Sequence, residues 1–125
     1  MNRAVGICGE NIAARFLTRQ GYKIIGKNIK TFVGEIDIVA KIRHTTVFTE
    51  VKTRRSFVFG PPYLSVTKNK KRKLIQCALC YLKTKGYPDI DWRIDIISVQ
   101  LNSSGIYIKK IEHFENAIEW EDYKK

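Results

Sequence analysis

The chain has 125 residues, 44% of them hydrophobic, and carries a formal charge of +11 from 23 lysines and arginines against 12 acids. That length suits a single domain that buries its core without disulfide staples. No apolar run approaches the ~20 residues of a membrane helix, and Met1 to Glu10 lacks a signal-peptide core, so a cytoplasmic chain with no membrane partner is expected. The three cysteines fit a reducing compartment; Cys77-x-x-Cys80 falls inside a helical pattern, which reads as helix-face thiols and not as a redox or zinc motif.

In chain order, residues 3–20 read as a helix stopped by Gly21. Val5, Ile12 and Phe16 fall on one side, and Ile7, Ala13, Ala14 and Leu17 on the other, which Glu10 shares. A glutamate on a small, apolar face is unusual, because carboxylates are seldom buried unpaired. An ion pair with a distant arginine and a ligand role are both open. Residues 22–31 form a first strand, with a bulge expected at Gly26.

Residues 34–55 hold two alternating strands, GEIDIVAKI and TVFTEVKTR, joined at Arg43-His44. Antiparallel pairing about that turn sets Asp37 opposite Glu50, Glu35 opposite Lys52 and Val39 opposite Phe48. The other face then carries Ile36, Ile38, Ala40, Val47, Thr49 and Val51. Like charges directly opposite on strands are destabilising, so Asp37 against Glu50 calls for a reason. A hard divalent cation is one, since Mg²⁺ binds through one or two carboxylates together with substrate phosphate.

Residues 56–65, with Gly60-Pro61-Pro62 at their centre, are a loop bearing Phe57, Phe59 and Tyr63, which either fold over the core or stack on bases. Thr67 caps a second helix that ends near Lys85-Gly86, with Leu74, Ile75, Cys77, Ala78, Tyr81 and Leu82 as its buried stripe. Its first turns carry Lys68, Lys70, Lys71, Arg72 and Lys73, the wrong sign for a helix start unless phosphate docks there. Between Lys41 and Lys85 twelve cations, Arg54 and Arg55 among them, face one acid, Glu50. The segment therefore holds the whole net excess, which favours a polyanion over a merely solvated face. Residues 92–101 read as an interior strand, in which Asp95 either pairs locally or neighbours the hairpin acids. Residues 106–111 pair with that strand as a hairpin, and the acidic tail from Glu112 is expected to form a short helix around Phe114, Ala117, Ile118 and Trp120 or to fray.

Asp37, twelve intervening residues and Glu50-Val51-Lys52 resemble the D…ExK core of the PD-(D/E)XK nuclease superfamily. The strings GEIDIVA and F-x-EVK-x-R, with Gly9-Glu10, Gly21-Tyr22, Phe59-Gly60, Val66-Thr67, Tyr81-Leu82 and Ile111-Glu112-His113, resemble the YraN-like family of small bacterial endonucleases. That family's activity is itself inferred, and it is similar to archaeal Holliday-junction resolvases. The likeness covers nearly the whole chain. It implies an α/β, restriction-endonuclease-like domain of order αβββαββ, with a mixed sheet of about five strands between helices. It also implies Mg²⁺ or Mn²⁺ held by Asp37, Glu50, the Val51 carbonyl and Glu10, with Lys52 assisting catalysis and Glu35 tuning Lys52. Related resolvases act as dimers, so a homodimer is a further implication.

The expected activity is thus metal-dependent hydrolysis of DNA phosphodiesters, in branched or structured DNA. The alternative is a non-catalytic nucleic-acid-binding protein on the same fold; an interaction domain for an acidic protein ranks third.

Overall fold

The structure, a computed structural model, describes residues 3–55, 66–86, 90–119 and 121, with side chains from residue 9 onward. Helix α1 (Arg3–Arg19) leads into β1 (Lys23–Lys30), β2 (Glu35–Ile42) and β3 (Thr45–Arg54). Then follow α2 (Lys68–Lys85), β4 (Asp91–Leu101) and β5 (Ile108–Ile118). The strands lie in chain order, β1-β2-β3-β4-β5, antiparallel except for the parallel pair β3–β4. Parallel neighbours need a crossover that runs back along the sheet, and α2 occupies it. This is the mixed αβββαββ sheet expected from the sequence, with β4 in its interior. Among the described residues no helix is long and apolar enough to cross a membrane.

Each face of the sheet is covered by one helix. Ala13, Ala14 and Leu17 of α1 pack on Ile38, Ala40, Val47, Ile97, Val99 and Leu101. On the other face Leu74, Ile75, Cys77, Ala78, Tyr81 and Leu82 of α2 pack on Ile36, Val39, Phe48, Ile94, Ile96 and Ile118. Thr67 accepts the Lys70 N–H at 3.2 Å, and Gly86 closes the helix with φ 72°, so both expected caps of α2 are present. Val5, Ile7 and Cys8 have side chains outside the described ones, and Phe57, Phe59, Tyr63 and Trp120 lie outside the described residues.

The hairpin turns at Arg43-His44, with Arg43 at φ 54°, and its register pairs Val39 with Phe48 as expected. Three expectations are corrected. The ladder stops at Ile38–Thr49, so Asp37 and Glu50 meet beyond its last pair; Glu35 pairs with Lys30 of β1 and not with Lys52. Ile36 lies under α2, away from Ile38 and Ala40, so the alternation of β2 breaks at Asp37. Residues 112–118 are neither helix nor frayed tail: β5 runs on to Ile118, where Phe114, Ala117 and Ile118 pack against the core under α2. The expected bulge is present, between Ile24 and Gly26.

Candidate functional site

Where β2 and β3 part, the Asp37 and Glu50 carboxyls meet, and Glu10 lies near enough for its charge to be felt without converging on them. Glu10 arrives from α1, Asp37 from the start of β2 and Glu50 from β3. Gly9 makes the approach of α1 possible, because a β-carbon there would overlap Thr53 Oγ1 and lie 2.9 Å from Thr53 Cβ. The helix rides directly on β3 and carries Glu10 in with it.

Burial does most to lift the Asp37 carboxyl from 3.8 to about 7. The Glu50 charge adds to this, the Val51 N–H donated to Asp37 Oδ2 at 2.8 Å works against it, and Glu10 contributes a further push. A side-chain hydrogen bond joins the Asp37 and Glu50 carboxyls, so the pair holds a proton close to neutral pH. Burial also lifts Glu10; the Asn28 side chain, which donates to it, opposes the shift, and the Glu35 and Glu50 charges reinforce it. Its named partners are thus Asn28 and Lys27, not a distant arginine. Asn28 escaped sequence reasoning, although an asparagine inside a strand pattern is a recognisable signal for a left-handed residue.

Glu50 is only 6% exposed and lies between two lysines, with Lys52 Nζ and Lys70 Nζ each 3.6 Å from its Oε2. Lys52 thus meets Glu50 and not Glu35. Counting alternate residues from Phe48 puts Glu50, Lys52 and Arg54 on the face that α2 covers. Beside them, the buried Nε–H groups of Arg54 and Arg72 and the Nε2 of Gln100 have no acceptor among the described residues. Gln100 is the register partner of Arg54. Buried donors are nearly always satisfied, so these groups are candidates to meet an acceptor from outside the described residues. Lys68 and Lys73 are exposed and Lys71 is half-buried. Arg55 points away from the acids to the β4–β5 turn, where a β-carbon on Gly105 would come within 2.8 Å of Arg55 Nε.

Asp95 belongs to a different cluster. It is fully buried, accepts from Arg93 Nε at 3.0 Å and from the Asn116 N–H at 2.9 Å, and bonds His113 Nε2 at 2.7 Å. Arg93 donates on to the Tyr22 hydroxyl at 2.6 Å and pairs with Glu115 at 3.4 Å. His113 meets the rings of Phe16 and Tyr22. In register Asp95 pairs with Thr49, next to the level of Glu50, but the network lies against Phe16 and Tyr22 on the α1 side of the sheet, whereas Glu50 faces α2. Burial pushes the Asp95 carboxyl up, but the His113, Arg93 and Asn116 hydrogen bonds outweigh it and hold the group below its ordinary value. Every acceptor is used, so Asp95 is a structural anchor and not a fourth site acid.

The donor set fits a divalent cation of the magnesium type. Asp37 and Glu50 supply hard carboxylate oxygens, the donor type such a cation takes. Among the described residues no three His, Cys, Asp or Glu side chains converge as a ready-made ligand set.

A five-stranded mixed α/β sheet between two helices, with a carboxylate pair and a lysine where two strands part, is consistent with a restriction-endonuclease-like fold. The chain belongs to the Uncharacterised protein family UPF0102, the YraN-like family, whose sequence model matches residues 9–99. It is 41% identical over 115 residues to a UPF0102 protein of Caldanaerobacter subterraneus subsp. tengcongensis, covering 92% of this chain and 94% of that one. A UPF0102 protein of Geobacter sulfurreducens is 42% identical over 118 residues, 94% of this chain and 91% of the relative. One of Desulfosudis oleivorans is 49% identical over 92 residues, 74% and 75% of the two chains. The family match spans Glu10, Asp37, Glu50 and Lys52, so the acid cluster lies wholly inside it.

Proposed function

We propose that the protein is a metal-dependent endonuclease of the PD-(D/E)XK superfamily, akin to archaeal Holliday-junction resolvases and acting in the cytoplasm on structured or branched DNA. The observation that carries this reading is the pair of half-buried Asp37 and buried Glu50, held together at a protonation cost beside Lys52 and Lys70. A fold gains nothing in stability from such a pair.

Asp37 and Glu50, with the Val51 carbonyl and Glu10, would hold Mg²⁺ or Mn²⁺. When bound, the cation supplies a water of lowered pKa and neutralises charge that builds on the phosphate. Lys52 orients that water or stabilises the developing negative charge on the phosphate oxygens from its place beside Glu50. Lys70, on the other flank of Glu50, lies 3.6 Å from its Oε2 and offsets its negative charge. The acceptor-less donors of Arg54, Arg72 and Gln100 take up phosphate oxygens, which fixes the strand without reading its sequence.

The test is incubation with supercoiled, linear, single-stranded and branched DNA in Mg²⁺, Mn²⁺ or EDTA, with Glu50→Ala and Lys52→Ala alongside. Cleavage is expected with metal alone, and both variants should lose it while binding DNA within a few-fold of wild type. Cutting by a clean Glu50→Ala preparation would place the chemistry elsewhere. DNA binding without cutting on every substrate would leave the non-catalytic nucleic-acid-binding protein.

A further inference from the structure

Two turns overhang the carboxylate end of the sheet, and each presents an aromatic ring to solvent. Phe32, on the β1–β2 turn, is 96% exposed, and Tyr107, on the β4–β5 turn, is 69% exposed. Scattered exposed apolar residues are ordinary. These two are held in place by rigid backbones. Around Phe32, the Thr31 N–H and hydroxyl both donate to the Gly34 carbonyl at 2.7 Å, and the same hydroxyl accepts the Val33 and Gly34 N–H groups. Val33 packs into the core. Around Tyr107, its carbonyl accepts the Asn102 N–H at 2.8 Å, and the Asn102 side chain accepts the N–H groups of Ile106 and Tyr107.

Each ring has a cation beside its turn. A β-carbon on Gly34 would lie 3.5 Å from Lys73 Cε, and Gly105 abuts the Arg55 guanidinium. By strand register the two turns stand about level with each other, some five residues of strand beyond Asp37 and Glu50, or at most ~17 Å. Three strand spacings separate them, about 14 Å. A groove of about 450 Å³ with Ile25, Ile29, Tyr81 and Thr84 in its walls continues from Phe32 along α2.

An exposed ring and a cation against the same turn, repeated on both flanks of the proposed phosphate-binding centre, suit unpaired nucleobases: the cation meets the phosphate and the ring meets the base. We infer that Phe32 and Tyr107 are paired stacking sites for unstacked bases of the strand or strands leaving the acid cluster. This rests on the nuclease reading for the position of the phosphate. It adds that single-stranded arms are gripped by the rings.

The experiment measures fluorescence anisotropy in EDTA on a forked DNA with single-stranded arms and on a blunt duplex of the same paired sequence. Phe32→Ala and Tyr107→Ala should each weaken fork binding on the order of tenfold, the size of one base–aromatic stack, and leave blunt duplex within about twofold. Phe32→Trp and Tyr107→Trp should keep wild-type fork affinity. Both alanine sites are exposed, and an unchanged melting temperature confirms the fold. Overturning results are an alanine variant that binds the fork like wild type, as a protein-docking Phe32 would give, or one that loses equally on both DNAs. Cleavage with Mn²⁺ is scored separately. Fork-selective ring effects without cutting sink the nuclease reading alone, whereas cutting with indifferent ring variants sinks this inference alone.

Discussion

A carboxyl lifted to about 7 makes the fold pH-sensitive in a definite direction. Asp37 titrates near 3.8 in the unfolded chain and near 7 in the native one, so the native state binds the extra proton. Its contribution is then most favourable below pH 3.8, declines as pH rises through 7, and is flat above that. The decline is on the order of 4 kcal/mol if the whole shift is expressed. Asp37→Asn removes the ionisation, and is expected to melt higher than wild type at pH 8 and to flatten the stability profile between pH 4 and 7. Divalent cation at a hundredfold excess over its dissociation constant should stabilise wild type by roughly 2.7 kcal/mol and barely move the variant. Thermal melts of both proteins with EDTA or with several millimolar Mg²⁺ or Mn²⁺ check this. A wild type indifferent to both cations, with a variant that melts no higher, would mean that the acids form no site.

At the scale of an element, α2 divides its cations between two tasks. Lys70 touches Glu50, so its replacement would disturb the acid cluster, whereas Lys68 and Lys73 are exposed. Replacing Lys68 and Lys73 by Gln should weaken binding of unrelated duplexes equally, and reduce the slope of log K against log[salt] by up to about 0.9 per lost phosphate contact. An unchanged slope would leave these two lysines as solvated surface. The elements themselves were readable where local chemistry marks them. Thr67 and Gly86 bound α2, Gly26 marks the bulge in β1, and the alternating residues of β2 and β3 give their register. The second half of β5 was not readable. Its Glu112 and Glu115 belong to an edge strand, and Asn116 at φ 50° breaks the period, so a paired strand carries the composition of a polar tail. The side change at Ile36 was hidden as well: Ile36 and Ile38 pack on opposite faces of the sheet, and no pattern within β2 records it. The acids Asp37, Glu50 and Glu10 were legible as candidates, but the link from Tyr22 through Arg93 to His113 joins residues far apart in sequence and needed the fold.

Taken whole, the sheet carries repelling acids on one face and a fully paired acid on the other. The Asp95 network sits on the α1 side, tying β4 to β5 and, through Arg93 and Tyr22, to the chain that enters β1. Removing one partner from a buried charged network leaves the other unpaired, which costs about 3–5 kcal/mol. Asp95→Ala should therefore lower stability by that order in urea titrations while the metal response of the Asp37–Glu50 pair persists. A variant as stable as wild type would deny the network its anchoring role. The chain-order arrangement of the strands bears on how the molecule is made. Glu10, Asp37, Glu50 and Lys52 all precede α2, so a ribosome delivers every proposed ligand before the helix exists. Until it does, Ile36, Val39 and Phe48 have no cover, and β3 has an open edge awaiting β4. The parallel pairing of β3 with β4 spans the longest separation between neighbouring strands in the sheet, and such contacts form late. A nascent chain thus carries the acids in solvent with ordinary proton affinity. The raised proton affinity of Asp37 belongs to the packed sheet and not to the nascent chain.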